Sequence, residues 1–315
     1  MLGRLVGERL ADGEPAEVWS RELRDLLAEC DAVVCNLECC ISERGSRTRA
    51  IPGKPFFFRA PPMAVGALAA ARVSVAGLAN NHALDFGTEA LSDTLTHLRR
   101  APLAPVGAGP DERGARRGVV VDACGRRLGV VAVSDHPREY AAAADSPGIA
   151  YARLSDGAPA WAGEELARLR ERADLVIVFP HWGPNMTVRP APAQRTCASD
   201  FLRAGADIVA GHSAHVFQGI EYREGRFVLY DLGGALDDYA VDPELRNDLG
   251  LLALWRPGAT PELELVALRL DFCRTRLAEG SDADWVHGRL ERACGELGSR
   301  VERTGVQRFT VLGPG

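Results

Sequence analysis

Two histidines stand three positions apart in the stretch GHSAHVFQG, residues 211–219, directly after an apolar run. The chain has only seven histidines, so the close spacing of His212 and His215 is notable. Imidazoles spaced this way can hold a metal ion or form part of a general acid–base pair, or they can be two unrelated surface side chains. The spacing alone leaves these three alternatives open.

Other side chains that can bind a metal follow apolar runs elsewhere in the chain. The run DAVVC is followed by Glu38, VSVAGL by Asn81 and His82, and DLVIVFP by His181. Each has an ordinary explanation when taken alone, since asparagine pairs favour turns and a single histidine is commonly a core residue. In α/β proteins, however, ligands bind at the carboxyl ends of the strands. The shared position of these residues therefore predicts one convergent site.

The side-chain types indicate which metals such a site would hold. Imidazole nitrogens, a carboxylate and an amide oxygen, with no thiolate required, suit Zn, Mn or Fe. Two divalent ions a few ångströms apart could share Glu38 as a bridging carboxylate. Such a pair would polarise a phosphoryl or acyl oxygen and lower the pKa of a bridging water, so that hydroxide forms near neutral pH.

Alternating helical and strand-like segments supply the elements that would position these residues. Amphipathic stretches such as EVWSRELRDLLAEC and PAQRTCASDFLRAG precede apolar runs, and this alternation indicates a parallel sheet. Hairpins are predicted to turn at Gly125 and at Glu224-Gly225, which adds antiparallel strands. Further strands are predicted at 249–256, 262–271 and 306–312, and a helix at 282–299. The prediction is a single layered α/β domain over residues 1–315.

Length and composition exclude several other classes of protein. The 315 residues suffice for one large α/β domain, and 46% hydrophobic and 25% charged residues are typical of a globular protein. A net charge of −6 provides no basic field, so neither nucleic acid nor anionic lipid is expected as a partner. No apolar run is long enough to span a membrane, and the amino terminus lacks the apolar core of a signal peptide. A cytoplasmic protein is expected.

Five motifs carry a family resemblance. They are NLE at 36–38, FFFRAPP at 56–62, LANNHALDFGTEALSDTL at 78–95, HWG at 181–183 and GHSAHVFQGIE at 211–221. Together they resemble the CapA-type proteins of poly-γ-glutamate capsule biosynthesis, within the calcineurin-like metallophosphatase superfamily. The blocks NNHxxDxG and GHxxH are the most specific part of the match. The resemblance runs from the first residue to about residue 250, and residues 251–315 would complete the domain with further strands and a helix.

The resemblance implies a four-layer αββα sandwich, metallo-dependent phosphatase-like, with two metal ions at the sheet edge. Motif by motif, it makes Glu38 the bridging carboxylate, Asn81, His181 and His212 ligands of one ion, and His215 a ligand of the other. It makes His82 the residue that protonates the leaving group or stabilises the transition state. Asp85, three residues later, would orient His82 or a metal-bound water.

Two cations near these motifs could bind an anionic substrate. Arg59 in FFFRAPP carries a fork of donors that suits phosphate or carboxylate, and Lys54 in GKPFFF carries a single ammonium. For Lys54 taken alone, a flexible, solvated loop residue is the favoured alternative. His136, in SDHPREY, follows a strand and could line the same cleft.

The start of the chain departs from the family pattern. Family members usually begin with a strand that ends in Gly-Asp, and this aspartate binds the first metal. Here the sequence begins Met1-Leu2-Gly3-Arg4, so the first strand is expected to be missing and a sheet edge exposed. Either translation begins upstream, which is the favoured interpretation, or one metal site has been lost. Pro184-Asn185 and Gly234 also depart from the pattern, so the capsule substrate cannot be carried over.

The predicted function is a metal-dependent hydrolase of phosphoesterase type. A metal-bound hydroxide would attack the phosphoryl centre of a small-molecule or polymer substrate with an anionic group, while His82 assists departure of the leaving group. The alternative is a non-hydrolytic component, or a metal-dependent transferase, in the synthesis of a γ-glutamyl amide polymer, with an ATP-dependent ligase as partner. No GxxxxGK[ST] segment occurs, so ATP binding through a P-loop is not expected.

Overall fold

The computed structural model describes residues 1–314, which form a mixed α/β fold with several sheets. The helices are α1 (Arg4–Asp12), α2 (Arg21–Ala28), α3 (Val65–Ala70), α4 (Gly87–Arg100), α5 (Glu112–Arg116), α6 (Ala160–Arg170), α7 (Pro192–Arg203) and α8 (Gly280–Gly295). The strands are β1 (Val33–Asn36), β2 (Cys40–Ile41), β3 (Arg59–Ala60), β4 (Val73–Gly77), β5 (Ala104–Val106), β6 (Ala108–Gly109), β7 (Val119–Ala123), β8 (Arg126–Ser134), β9 (Gly148–Ile149), β10 (Leu175–His181), β11 (Ile208–Ala210), β12 (Ile220–Arg223), β13 (Arg226–Leu229), β14 (Leu249–Arg256), β15 (Glu262–Leu270), β16 (Thr275–Leu277), β17 (Arg300–Arg303) and β18 (Arg308–Leu312).

These strands form three main sheets. The first sheet is parallel, with the order β1-β4-β5. The second has the order β12-β13-β11-β10-β8-β7, in which β13, β11, β10 and β8 run parallel. The third is antiparallel, with the order β14-β15-β18-β17, and β16 pairs with β15. The predicted combination of a parallel sheet with antiparallel additions is confirmed.

Both predicted hairpins are present, and their turns explain why they form. β7 and β8 are joined through Cys124 and Gly125, with φ angles of 52° and 84°, and β12 and β13 through Glu224 and Gly225, with φ angles of 49° and 79°. Two successive residues with positive φ match the right-handed twist of the flanking strands. Glycine at the second position of each turn therefore sets the register of both hairpins.

Adjacent residues of the second sheet belong to different apolar clusters. Val130 and Ile177 pack in one cluster with side chains of the first and third sheets, whereas Val131 and Val178 pack in another with helices α6 and α7. Since neighbouring side chains on a strand point to opposite faces, this sheet is covered on both sides. A third cluster joins helices α1, α2, α3 and α4 to the other face of the first sheet.

An apolar groove separates two strands that each have only one pairing partner among residues 1–314. β1 pairs with β4, and β14 pairs with β15. Side chains of both strands line the groove, which has a volume of about 800 Å³ and also borders Glu38, His212 and His215. Among the described residues, one edge of each of these two strands therefore lies along the groove.

Within residues 1–314, every helix is too short or too polar to cross a membrane.

Candidate metal and catalytic site

The predicted site residues follow four strands of two different sheets. β1 is followed by Glu38, β4 by Asn81 and His82, β10 ends in His181, and β11 is followed by His212. Two contacts link them: His181 and His212 form a backbone bridge between neighbouring strands, and His215 Nε2 lies 3.6 Å from Glu38 Oε1. The second contact brings the first and second sheets together at this edge.

His181 and His212 face each other nitrogen to nitrogen. Their Nδ1 atoms are 2.7 Å apart, and the Nε2 atom of each ring is buried without a hydrogen-bond partner. Burial keeps the pKa of His181 well below its usual value and lowers the pKa of His212 to about 3, and the neighbouring imidazoles act in the same direction. Both rings are therefore neutral near pH 7, as metal-binding imidazoles must be.

A chain of amide side chains orients Glu38. Asn80 Nδ2 donates to Asn36 Oδ1 at 2.9 Å, and Asn36 Nδ2 donates to Glu38 Oε2 at 2.9 Å. Glu38 is only 5% exposed, and its second oxygen, Oε1, has no hydrogen-bond partner. Burial raises the pKa of Glu38, and the charge of His82 opposes this shift. The sequence contained both asparagines beside the predicted ligands, but nothing in it pointed to this relay.

Asp85 is completely buried, and its carboxylate has four polar partners. They are His82 Nδ1 at 2.6 Å, the Phe58 amide at 2.6 Å, Lys54 Nζ at 2.9 Å and Tyr140 Oη at 3.0 Å. An ionised carboxylate only accepts hydrogen bonds, so the proton between the first pair lies on His82 Nδ1. This leaves His82 Nε2 as the nitrogen free for chemistry. Tyr140 lies far away in sequence, and no sequence signal indicated its role.

Lys54 and Arg59, the two predicted substrate cations, both make contacts within the protein. The Lys54 side chain is 7% exposed, with its ammonium on Asp85 and on the carbonyl of Asn81, so the description of Lys54 as a flexible, solvated residue is wrong. The Arg59 guanidinium lies over the Phe86 ring, 4.2 Å from its centroid, and donates to loop carbonyls. Their contacts are thus with the protein itself, because a buried or stacked cation needs such partners.

His136 adds a further imidazole to the site. Its ring centroid lies 4.8 Å from that of His181, and its side chain is 34% exposed. The ring contacts Asp135, which also accepts a hydrogen bond from the Gly183 amide at 3.0 Å. His136 thus lies beside the predicted ligand His181, and its place in the cleft remains a prediction.

Asp231 anchors the turn that carries the two histidines of the GHxxH block. Its carboxylate accepts the amides of Ala214 at 2.6 Å and Gly233 at 2.7 Å. Ser213 and His215 have φ angles of 133° and 59°, which few side chains adopt, so the turn needs such support. Burial raises the pKa of Asp231 to about 7. This role could not be read from the sequence, because Asp231 lies just beyond the following hairpin.

Buried polar atoms without hydrogen-bond partners test whether these residues suit a metal. Seven such side-chain atoms occur among the described residues, and four of them are Glu38 Oε1, Asn81 Oδ1, His181 Nε2 and His212 Nε2. Carboxylate, amide and imidazole donors are the set that Zn, Mn and Fe accept. Within residues 1–314, however, no three His, Cys, Asp or Glu side chains stand close enough together to hold one ion. The chemical types of these donors and their burial suit divalent cations. Their contacts arrange them as two pairs, His181 with His212 and Glu38 with His215.

Comparisons with known proteins add family membership. Residues 1–239 match the family described as "Bacterial capsule synthesis protein PGA_cap". A probable polyglutamine synthesis accessory protein of Mycobacterium tuberculosis is 36% identical over 286 residues, covering 86% of this chain and 74% of that protein. The PGA biosynthesis protein CapA of Bacillus subtilis is 28% identical over 246 residues, covering 76% of this chain and 61% of that protein. A hypothetical protein from Thermus thermophilus, of solved structure, is distantly similar, with 17% identity, coverage of 81% and 88% of the two chains and a TM-score of 0.42. The chain belongs to the PGA_cap family of bacterial capsule synthesis proteins, as the resemblance in its motifs implied.

Proposed function

We propose that this protein is a divalent-metal-dependent hydrolase of the phosphoesterase type, acting on a substrate with an anionic group. The observation that carries the proposal is the set of unpartnered, buried polar side-chain atoms at Glu38, Asn81, His181 and His212. A buried polar atom without a partner costs roughly 1–3 kcal/mol, so these atoms favour ligands that satisfy them. Divalent cations would do so.

We assign Asn81, His181 and His212 to one ion, and Glu38 with His215 to a second. When bound, divalent cations polarise a phosphoryl oxygen and lower the pKa of water. The two histidines at 2.7 Å support the first assignment, and the contact of 3.6 Å between Glu38 and His215 supports the second. The neutral histidine rings can bind cations without first losing protons.

His82 is the proposed acid–base residue. Asp85 holds the proton of the ring on Nδ1, so Nε2 can take a proton and deliver it to a leaving-group oxygen. Burial lowers the pKa of His82, and the hydrogen bond to Asp85 opposes this shift. The ring packs edge-on against Phe58, with centroids 4.3 Å apart, which fixes its plane.

The proposed architecture is the four-layer αββα sandwich, formed as one domain over residues 1–315. Its support is the sharing of apolar side chains among helices α1 to α4, the first and third sheets, the second sheet, and helices α6 and α7. In this arrangement the site lies where strands of both central layers end.

The experiment measures metal and activity on the same preparation. After loading with Mn or Zn and desalting, elemental mass spectrometry is expected to find about two equivalents of metal. Hydrolysis of 4-nitrophenyl phosphate or its diester should depend on that metal. His212→Ala should lose both metal and turnover, whereas His97→Ala on helix α4 should lose neither. A wild-type protein that binds metal only weakly and cleaves neither ester would overturn the proposal.

A second candidate is a non-hydrolytic role beside an amide-forming ligase. The names of the relatives favour it, since two of them describe synthesis or biosynthesis of a glutamine or glutamate polymer. It predicts co-purification with an ATP-dependent ligase from the source cells. It also predicts that a His212→Ala protein restores polymer synthesis to cells that lack this chain. If only the wild-type protein restores synthesis, the metal-dependent role is favoured instead.

A further inference from the structure

Lys54 is the only lysine in the chain: the other 36 of the 37 basic residues are arginines. Its side chain is 7% exposed and lies against a carboxylate, that of Asp85, which is fully buried. Burying an ammonium costs several kcal/mol unless it is paired and hydrogen-bonded. Every other basic residue among the 37 is an arginine, so the compact ammonium of lysine occurs only at this enclosed position.

The ammonium contacts both ends of the segment that carries His82. Lys54 Nζ lies 2.9 Å from Asp85 Oδ1 and donates to the carbonyl of Asn81, which belongs to the peptide bond that joins Asn81 to His82. Asp85 Oδ2 in turn accepts from His82 Nδ1. One cation thus holds the residue before the histidine and the carboxylate that orients its ring.

The surroundings of Lys54 leave little room for another partner. Its ammonium lies 5.2 Å from the centroid of the Tyr140 ring and 6.0 Å from that of Phe57. Tyr140 also donates to the same Asp85 oxygen that the ammonium contacts. A lysine that binds substrate needs a free donor at an open surface. The ammonium of Lys54 is instead enclosed and already paired.

We propose that Lys54 is a positioning residue for His82. It fixes the Asp85 carboxylate so that His82 keeps its proton on Nδ1 and presents Nε2 to the cleft. Without the ammonium, Asp85 is a buried anion whose remaining donors are all neutral groups. Its carboxylate can then rotate away from the orientation that holds the His82 ring. The catalytic part of this inference rests on the proposed role of His82, whereas the orientation of the ring does not.

The first test is structural and needs no substrate. In protein labelled with ¹³C and ¹⁵N in lysine, the single Nζ signal of wild type is expected to show slow proton exchange, as a buried ion pair requires. With ¹⁵N-labelled histidine, the ring assigned through a His82→Asn variant is expected to be the Nδ1–H tautomer. Lys54→Met should turn that ring into a mixture of tautomers. Arg47→Met, which removes an exposed cation over the neighbouring Phe57 ring, should leave it unchanged.

The second test separates positioning from substrate binding. Lys54→Met is expected to lower kcat roughly 10- to 100-fold, as loss of a group that orients an active residue commonly does, with KM unchanged. Lys54→Arg should recover part of kcat, because it restores the charge.

Three results would overturn the inference: a fast-exchanging Nζ signal in wild type, an unchanged His82 tautomer in Lys54→Met, or a raised KM with kcat retained. If Lys54→Met does not fold, Lys54→Arg and the wild-type Nζ signal decide. A wild-type protein with neither metal nor activity would refute the proposed function, while the tautomer measurement would still decide the role of Lys54.

Discussion

His181 and His212 place their Nδ1 atoms 2.7 Å apart, although 31 residues separate them in the chain. Parallel pairing of β10 with β11 sets this approach, since Ile177 lies opposite Ile208 and the two strands end side by side. Two neutral imidazoles can share only one proton between these atoms, so the pair forms either one N–H···N bond or a place for a cation. The pair therefore acts as a unit.

That unit predicts non-additive losses of metal affinity. His181→Ala and His212→Ala should each weaken binding of Mn or Zn at least about 100-fold, because the remaining ring cannot hold the ion alone. The double variant should bind only slightly more weakly than either single variant. Calorimetric titration of the three proteins measures this. Losses that simply add would mean that the two rings bind independently.

Replacing Asp231 with alanine tests whether this residue anchors the GHxxH turn that carries the two histidines. The loss of two buried hydrogen-bond acceptors is expected to cost about 1–3 kcal/mol in the free energy of unfolding and to lower metal affinity. Asp242→Ala is the matched control, because Asp242 accepts the amides of Glu244 and Leu245 in another loop. Denaturant unfolding should show a loss of stability in both variants. Metal titration should show a loss of affinity only in Asp231→Ala. An unaltered affinity in Asp231→Ala would argue against its anchoring role.

Asp85→Asn is expected to be far more disruptive than a surface change. It leaves the ammonium of Lys54 buried beside a neutral amide, and breaking a buried pair in this way costs roughly 3–5 kcal/mol. Tyr140→Phe removes only one neutral donor and should cost about 0.5–1.5 kcal/mol. Thermal and denaturant unfolding of both variants test this order. Equal costs would mean that Asp85 carries little charge in the folded protein.

The ion pair of Asp93 and Arg44 gives a pH-dependent contribution to stability. Hydrogen bonds from Arg44 and Ser42 lower the pKa of Asp93 to about 2, from 3.8. Because the folded state favours the ionised carboxyl, this contribution is fully present above the unfolded pKa and is lost as the pH falls from near 4 through about 2. Asp93→Asn should reduce the stability modestly above pH 4 and flatten its decline in acid. A wild-type decline of the same steepness in the variant would contradict the assignment.

The sequence was informative where local physics decides the structure. Glycine at Gly125 and Gly225 fixed the hairpins, and apolar runs located the strands whose ends carry Glu38 and His181. It was uninformative where partners are distant along the chain. Tyr140 contacts Asp85 across 55 positions of the chain, and Asp231 contacts Ala214 across 17. Neither contact produces a periodic pattern in the sequence. Lys54 illustrates the same limit, because its loop reads as solvated while its partner arrives from another segment.

Two strand edges beside the groove, at Val34 of β1 and Ala253 of β14, carry a consequence for behaviour in solution. The amide of Leu37 donates to β4 and that of Leu251 to Leu232, so the alternation of hydrogen-bond directions turns the backbone groups of Val34 and Ala253 towards the groove. Open edges with apolar surroundings are templates for intermolecular strand pairing. Concentrated protein is therefore expected to aggregate through these edges, with light scattering that grows with concentration and falls when Ala253 is replaced by lysine.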